Sequence, residues 1–179
     1  MFSYRSGLLY LCFVFIFSGC IGMPEGVKPV TNYQLDRYLG TWYEVARLDH
    51  SFERGLEQVT AEYSLHEDGG VKVFNKGYST EEGKWKEAEG KAYFVDQEDL
   101  GHLKVSFFGP FYSSYVVFDF NPDQEDYEYA YISGYNNSYL WLLSRTATVS
   151  EERLNHFVES ATDLGFDTES LIYVSQETE

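Results

Sequence analysis

The sequence predicts an all-β fold: eight or so short antiparallel strands in up-and-down order, then one α-helix, then a last short strand. Three observations carry this expectation. From Trp42 onward, short runs of apolar and aromatic residues are separated by turn residues. Aromatic residues make up 18% of the chain, chiefly Tyr and Phe, side chains that fit a pleated, half-buried surface. A stretch near the C-terminus changes to helical spacing. Strands in this number can close into a barrel just wide enough for a small ligand; a flat sandwich is the competing arrangement.

The strands are expected at 42–48, 59–65, 71–78, 83–87, 91–95, 103–108, 115–120, 128–133 and 139–144. Between the second and third, Glu67-Asp68-Gly69-Gly70 is a hairpin signal, because Asp-Gly accepts positive φ at the centre of a tight turn. The helix starts at Ser150, a good N-cap, with Glu151 and Glu152 at the positive end of its dipole. Leu154, Phe157, Val158, Ala161 and Leu164 recur at helical spacing, and Gly165 ends the run. One apolar face implies packing against the outside of the strands. Residues 171–175 read as the final short strand.

The N-terminus is an address. Arg5 is the only charge in residues 1–19, and the apolar run 7–17 is far short of the roughly 20 residues that span a membrane. The run ends in Phe17-Ser18-Gly19-Cys20, which resembles a bacterial lipoprotein box with Phe in place of the usual Leu. That resemblance implies cleavage before Cys20 and lipid on its thiol and amine. Ile21, rather than Asp, at the next position implies the outer membrane. Residues 1–19 are thus a lipoprotein signal peptide, 20–34 a lipidated tether carrying Pro24, Gly26 and Pro29, and 35–179 the folded domain. Cys12 leaves with the signal and Cys20 is taken by lipid, so no disulfide is expected.

Cleavage leaves 160 residues, enough for one domain with a real core. The formal charge of −16 becomes −17 once Arg5 is lost. A surface of this charge repels nucleic acid and phosphate-rich membrane surfaces. His50, His66, His102 and His156 are scattered, with no metal-ligand spacing, and each reads as a surface or loop residue. No nucleophile elbow or phosphate loop is present. Asp119-Phe120-Asn121-Pro122-Asp123 starts like a calcium loop, but Gln124 and Ala130 occupy its obligatory Gly and Glu positions. The acidic run through Asp126 reads as a solvated loop. No metal or cofactor is expected.

Gly40-Thr41-Trp42-Tyr43 and Leu143-Ser144-Arg145-Thr146 bracket the strand region. Between them lie Phe52-Glu53-Arg54-Gly55-Leu56-Glu57, Asn75-Lys76-Gly77-Tyr78, Glu89-Gly90-Lys91-Ala92-Tyr93-Phe94 and the run from Lys104 to Tyr112. Over residues 37–176 the chain resembles the lipocalins, and within them the bacterial outer-membrane lipoprotein branch that includes relatives of apolipoprotein D. The resemblance implies an eight-stranded up-and-down antiparallel β-barrel with one C-terminal α-helix packed outside and a short final strand. It also implies that Trp42 plugs the closed end, that Arg145 lies across its indole, and that Gly40 turns the chain into the strand. The family's middle motif, usually Thr-Asp-Tyr, is degraded here to Asn137-Ser138-Tyr139, which weakens any inference about docking to a receptor.

Alternation along each strand then selects the inward side chains. Ala61, Tyr63, Val73, Asn75, Ala92, Phe94, Val105, Phe107, Tyr115, Val117, Tyr139 and Trp141 are expected to line a ligand cavity. Phe52 and Leu56, in the first connection, are placed to cap the mouth or to belong to a plain loop. The implied function is a membrane-anchored carrier of fatty acids, lysophospholipids or similar amphiphiles in the bacterial envelope, acting by sequestration and not by catalysis. A lipid-modifying enzyme, with Glu44 or Glu89 as an acid if buried, and a structural lipoprotein with a filled barrel are the alternatives.

Overall fold

In a computed structural model, which describes residues 21–121 and 126–177, the strands close on themselves. The signal segment, Cys20 and most of the acidic loop before Asp126 lie outside the described residues. Eight antiparallel strands follow in chain order: β1 (Gly40–Arg47), β2 (Leu56–Leu65), β3 (Val71–Ser79), β4 (Lys84–Phe94), β5 (His102–Phe108), β6 (Phe111–Phe120), β7 (Tyr129–Ser133) and β8 (Leu140–Ser144). Each bonds to the next, and β1 bonds to both β2 and β8. That double pairing makes a barrel and rules out a sandwich. Closure gives nearly every strand two neighbours, so few backbone donors and acceptors are left at an edge.

A single turn, α1 (Leu35–Tyr38), precedes β1. Helix α2 (Glu151–Asp163) follows the barrel and packs outside it, capped as expected by Ser150, whose Oγ accepts the Arg153 N–H at 3.2 Å. Phe157 and Ala161 are its buried residues. They meet Val116, Tyr131 and Leu142 from the outer faces of β6 to β8. The last strand, β9 (Ile172–Tyr173), pairs with Ala46 and Arg47 of β1, above the point where β2 pairing ends.

Two expectations change. The runs at 83–87 and 91–95 form one strand: β4 pairs with β3 without a break from Val71↔Ala92 to Ser79↔Lys84. Gly90 sits mid-strand because a Cβ there would lie 2.8 Å from the Phe107 ring and 2.7 Å from the Ser106 carbonyl. The segment read as an extended tether is docked from Pro24 onward. Pro24, Val27 and Tyr33 are buried. The Val30 N–H donates to Val117 O and its carbonyl accepts from Gly101 N–H, both at 2.9 Å.

The closed end is built as the family resemblance implies. Trp42 is fully buried, and the Arg145 guanidinium carbon lies 3.9 Å from its ring centroid. The Trp42 indole N–H donates to Tyr38 O at 2.7 Å. Arg145 donates to the carbonyls of Arg37, Leu39, Thr41 and Tyr127, tying α1, β1 and the chain before β7 together. Gly40 has φ +95°, the left-handed region that a side chain resists.

Candidate ligand-binding site

Strand parity puts most of the expected lining inside. Ala61, Tyr63, Val73, Ala92, Phe94, Val105, Phe107, Tyr115, Val117 and Trp141 all belong to the interior apolar cluster. Asn75 stands opposite Ala61 on one side and Ala88 on the other, and its Oδ1 is buried without a partner. Tyr139 lies just before β8, at the mouth, its ring 6.2 Å from that of Trp141.

The lumen is graded along its axis. Near the closed end Trp42, Tyr38, Val71, Leu103, Ala130 and Leu143 are buried together. Three phenols meet at mid-depth: Tyr115 Oη lies 2.6 Å from Tyr38 Oη and 2.8 Å from Tyr63 Oη. Burial pushes all three well above the usual phenol range, so they stay neutral hydrogen-bonding groups. Towards the open end the wall thins. Phe107 and Trp141 point inward yet are only half-buried, and Ala88, across from Asn75, is exposed.

The mouth holds a buried ionic group that alternation alone does not reveal. The β1–β8 register shifts between Glu44 and Ala46, a β-bulge. Trp42 and Glu44 face inward; the bulge then turns Ala46 out beneath the helix and returns Arg47 to the lumen, opposite Trp141. Arg47 is 1% exposed and Glu44 3%, and the Arg47 Nη1–H donates to Glu44 Oε1 at 2.6 Å. Its Nη2 donates to the carbonyls of Glu53 and Leu56, pinning the 48–55 connection across the barrel. The Trp141 indole N–H donates to Glu53 Oε2 at 3.1 Å.

His50, expected as a surface or loop residue, lies in the 48–55 loop but is only 6% exposed, and His102 is buried as well. His50 Nε2 lies 3.3 Å from Glu53 Oε2 but outside hydrogen-bond geometry. Burial, with the Arg47 charge, lowers the His50 imidazole to about 4. Burial raises both carboxyls, and for Glu44 the charge of Glu53 adds to it. Arg47 opposes the rise in both, and the Trp141 N–H also opposes it in Glu53. Phe52 caps this group from outside: its ring stacks on His50 at 4.2 Å while 59% of the residue stays exposed. Glu89, the other acid weighed from sequence, is exposed and paired with Lys72. Among the described residues no three His, Cys, Asp or Glu side chains gather as a metal site.

Trp42 beneath Arg145, an eight-stranded closed barrel and one external helix thus occur together. A lipocalin-like domain profile matches residues 33–176. The chain is a lipocalin. This lipocalin is 62% identical to outer membrane lipoprotein Blc of Vibrio cholerae, over 97% of this chain and 99% of the relative. It is 51% identical to the Blc of Escherichia coli K12, over 86% and 85% of the two chains. Mouse apolipoprotein D is more distant, at 28% over 81% and 78%. Among solved structures, insecticyanin from the tobacco hornworm Manduca sexta superposes with a TM-score of 0.68 at 21% identity, covering 88% of each chain. That likeness concerns the lipocalin fold alone.

Proposed function

We propose that this lipocalin is a lipid-anchored outer-membrane protein that carries fatty acids, lysophospholipids or similar single-chain amphiphiles. The relatives named Blc are outer membrane lipoproteins, and Phe17-Ser18-Gly19-Cys20 supplies the matching acylation site at Cys20. The observation that carries the binding reading is the set of inward side chains in the open half that stay half-buried or exposed: Ala88, Phe107 and Trp141. They leave an apolar slot above the tyrosine cluster. An acyl chain enters this slot. Its head group stays near the mouth, within reach of Arg47, His50 and Trp141.

Burying ten methylenes yields roughly 8 kcal/mol at about 0.8 kcal/mol each. Ordering the chain and losing free tumbling remove several of these, so net affinity is about micromolar. That suits carrying more than storage. The ionic group at the mouth holds the scaffold and sets polarity; nothing about it calls for a covalent step.

The test is native mass spectrometry with lipid extraction on protein purified from envelopes. The expected result is a co-purifying fatty acid or lysophospholipid, displaced by a competitor and weakened at least tenfold by Trp141→Arg. Lipid-free protein that also ignores an added fluorescent fatty acid would leave a filled-barrel structural role in its place.

A further inference from the structure

The net charge of the chain conceals a basic wall. Four of the seven lysines (Lys72, Lys76, Lys91 and Lys104) lie on the outer faces of β3, β4 and β5, while Lys84 and Lys86 of β4 share the lumen parity of Ala88. In the barrel order these strands stand across from β7, β8 and β1. That far side is covered by α2, where Glu151, Glu152, Glu159, Asp163, Asp167 and Glu169 are exposed on the helix and the turn after it. The molecule therefore has an acidic side and a side that gathers these four lysines.

The basic wall also carries aromatic rings. Lys76 lies over Trp85 at 4.6 Å, Lys91 over Tyr93 at 5.6 Å and Lys104 over Tyr112 at 5.4 Å. On this face Glu89 pairs with Lys72 at 2.9 Å and Glu87 with Lys76 at 3.8 Å, and Asp68 accepts the Tyr93 hydroxyl at 2.6 Å beside Lys91; Glu82 pairs with Lys84 and Lys86. Lys91 and Lys104 form none of these ion pairs. Beside Lys91 runs a groove of about 230 Å³ bordered also by His66, Glu89, Ser106 and Phe107, and Ser106 Oγ is buried there without a partner. Above the groove the β5–β6 hairpin tip exposes Phe108 and Phe111, at 83% and 65%.

The N-terminus ends at the same wall. The backbone of Ile21 lies beside the ring of His102, the first residue of β5. Cys20 immediately precedes Ile21 in the sequence. Acyl chains on Cys20 must then enter the bilayer near the base of β5. Lys side chains over Tyr and Trp, with projecting Phe, form a surface suited to a charged lipid interface.

We propose that the outer face of β4 and β5, with the β5–β6 hairpin, is the membrane-facing wall, laid on anionic phospholipid with Lys91 and Lys104 meeting head-group phosphates and Phe108 and Phe111 dipping into the interface. The barrel then lies on its side, its acidic helix face turned to water. The proposal rests on acylation at Cys20 but not on what fills the lumen.

The test uses the acylated mature protein in vesicles of phosphatidylethanolamine with phosphatidylglycerol, and in vesicles of phosphatidylethanolamine with phosphatidylcholine. With Cys20 acylated, a single introduced Cys takes a fluorophore at Phe108→Cys, Phe52→Cys or Glu159→Cys. Brominated acyl chains are expected to quench the label at 108 several-fold more than that at 159 or 52 in the anionic vesicles. Lys91→Gln with Lys104→Gln should remove that difference while leaving displacement of a fluorescent fatty acid unchanged. Equal quenching at all three positions, or quenching strongest at 52 or 159, would overturn the wall. A chain that does not float with vesicles overturns the anchor. Loss of fatty-acid binding with the quenching pattern intact overturns only the carrier reading.

Discussion

Arg145 shows how much one side chain holds. It covers the Trp42 ring and donates to four backbone carbonyls from three parts of the chain. Arg145→Ala removes roughly 0.5–2 kcal/mol of cation–π attraction and leaves carbonyls to find water, a loss of about 3 kcal/mol in all. For a domain of this size the melting temperature should fall by about 10 °C, with fatty-acid affinity unchanged because the residue lies at the far end from the mouth. An unchanged melting curve would contradict the assignment. His50 makes a pH prediction. Its folded value of about 4 is below the ordinary imidazole value of 6.5, so its contribution to stability is present above pH 6.5 and is lost as pH falls towards 4. The loss amounts to about 3 kcal/mol at most. Glu44 and Glu53 act in the opposite sense, since burial raises both and favours the fold as they protonate. Comparing thermal melts of wild type and His50→Gln isolates the imidazole: the variant should gain on the wild type between pH 6.5 and 4, and parallel curves would refute this.

β1 and β4 are the elements where local pattern and fold part company. β4 runs unbroken through Gly90 because the Phe107 ring of β5 occupies the space a side chain would need. Gly90→Ala should therefore cost about 1–3 kcal/mol through overpacking, against the few tenths usually gained when a strand glycine is replaced. Chemical denaturation checks it, and a more stable variant would show that the ring yields. β1 carries the reverse lesson. A strict period of two from Trp42 would send Arg47 outside, yet the bulge at Val45 brings it in beside Glu44. The motif residues were visible in sequence, but a bulge depends on what the neighbouring strand offers, here the register of Leu142 and Leu143.

The whole molecule is a barrel closed at one end by Trp42 and Arg145 and lined towards the other by side chains that are half-buried or exposed. Ala88→Trp tests this directly, because the position faces the lumen opposite Asn75 and is exposed. An indole there should occupy the slot, weaken fatty-acid binding at least tenfold in a displacement titration, and leave the melting temperature within about 2 °C, as expected for a site with room. Unchanged binding would place the ligand elsewhere. The same view separates the two outer faces, one acidic and helix-covered, the other rich in lysine and bare of helix, a division that a single net charge of −16 does not show.

By itself the sequence determined the strands, the capped outer helix, the closed-end pair of Trp42 and Arg145, and the parity of the lumen wall. These rest on local rules: period two, helical spacing, N-cap chemistry and glycine at positive φ. Only the tertiary structure decided that Glu44, Arg47, His50 and Glu53 share one buried group, that residues 24–33 dock on the wall, and that Lys72, Lys76, Lys91 and Lys104 share one outer face. Each depends on which strands lie side by side after closure, and closure brings together residues far apart in the chain.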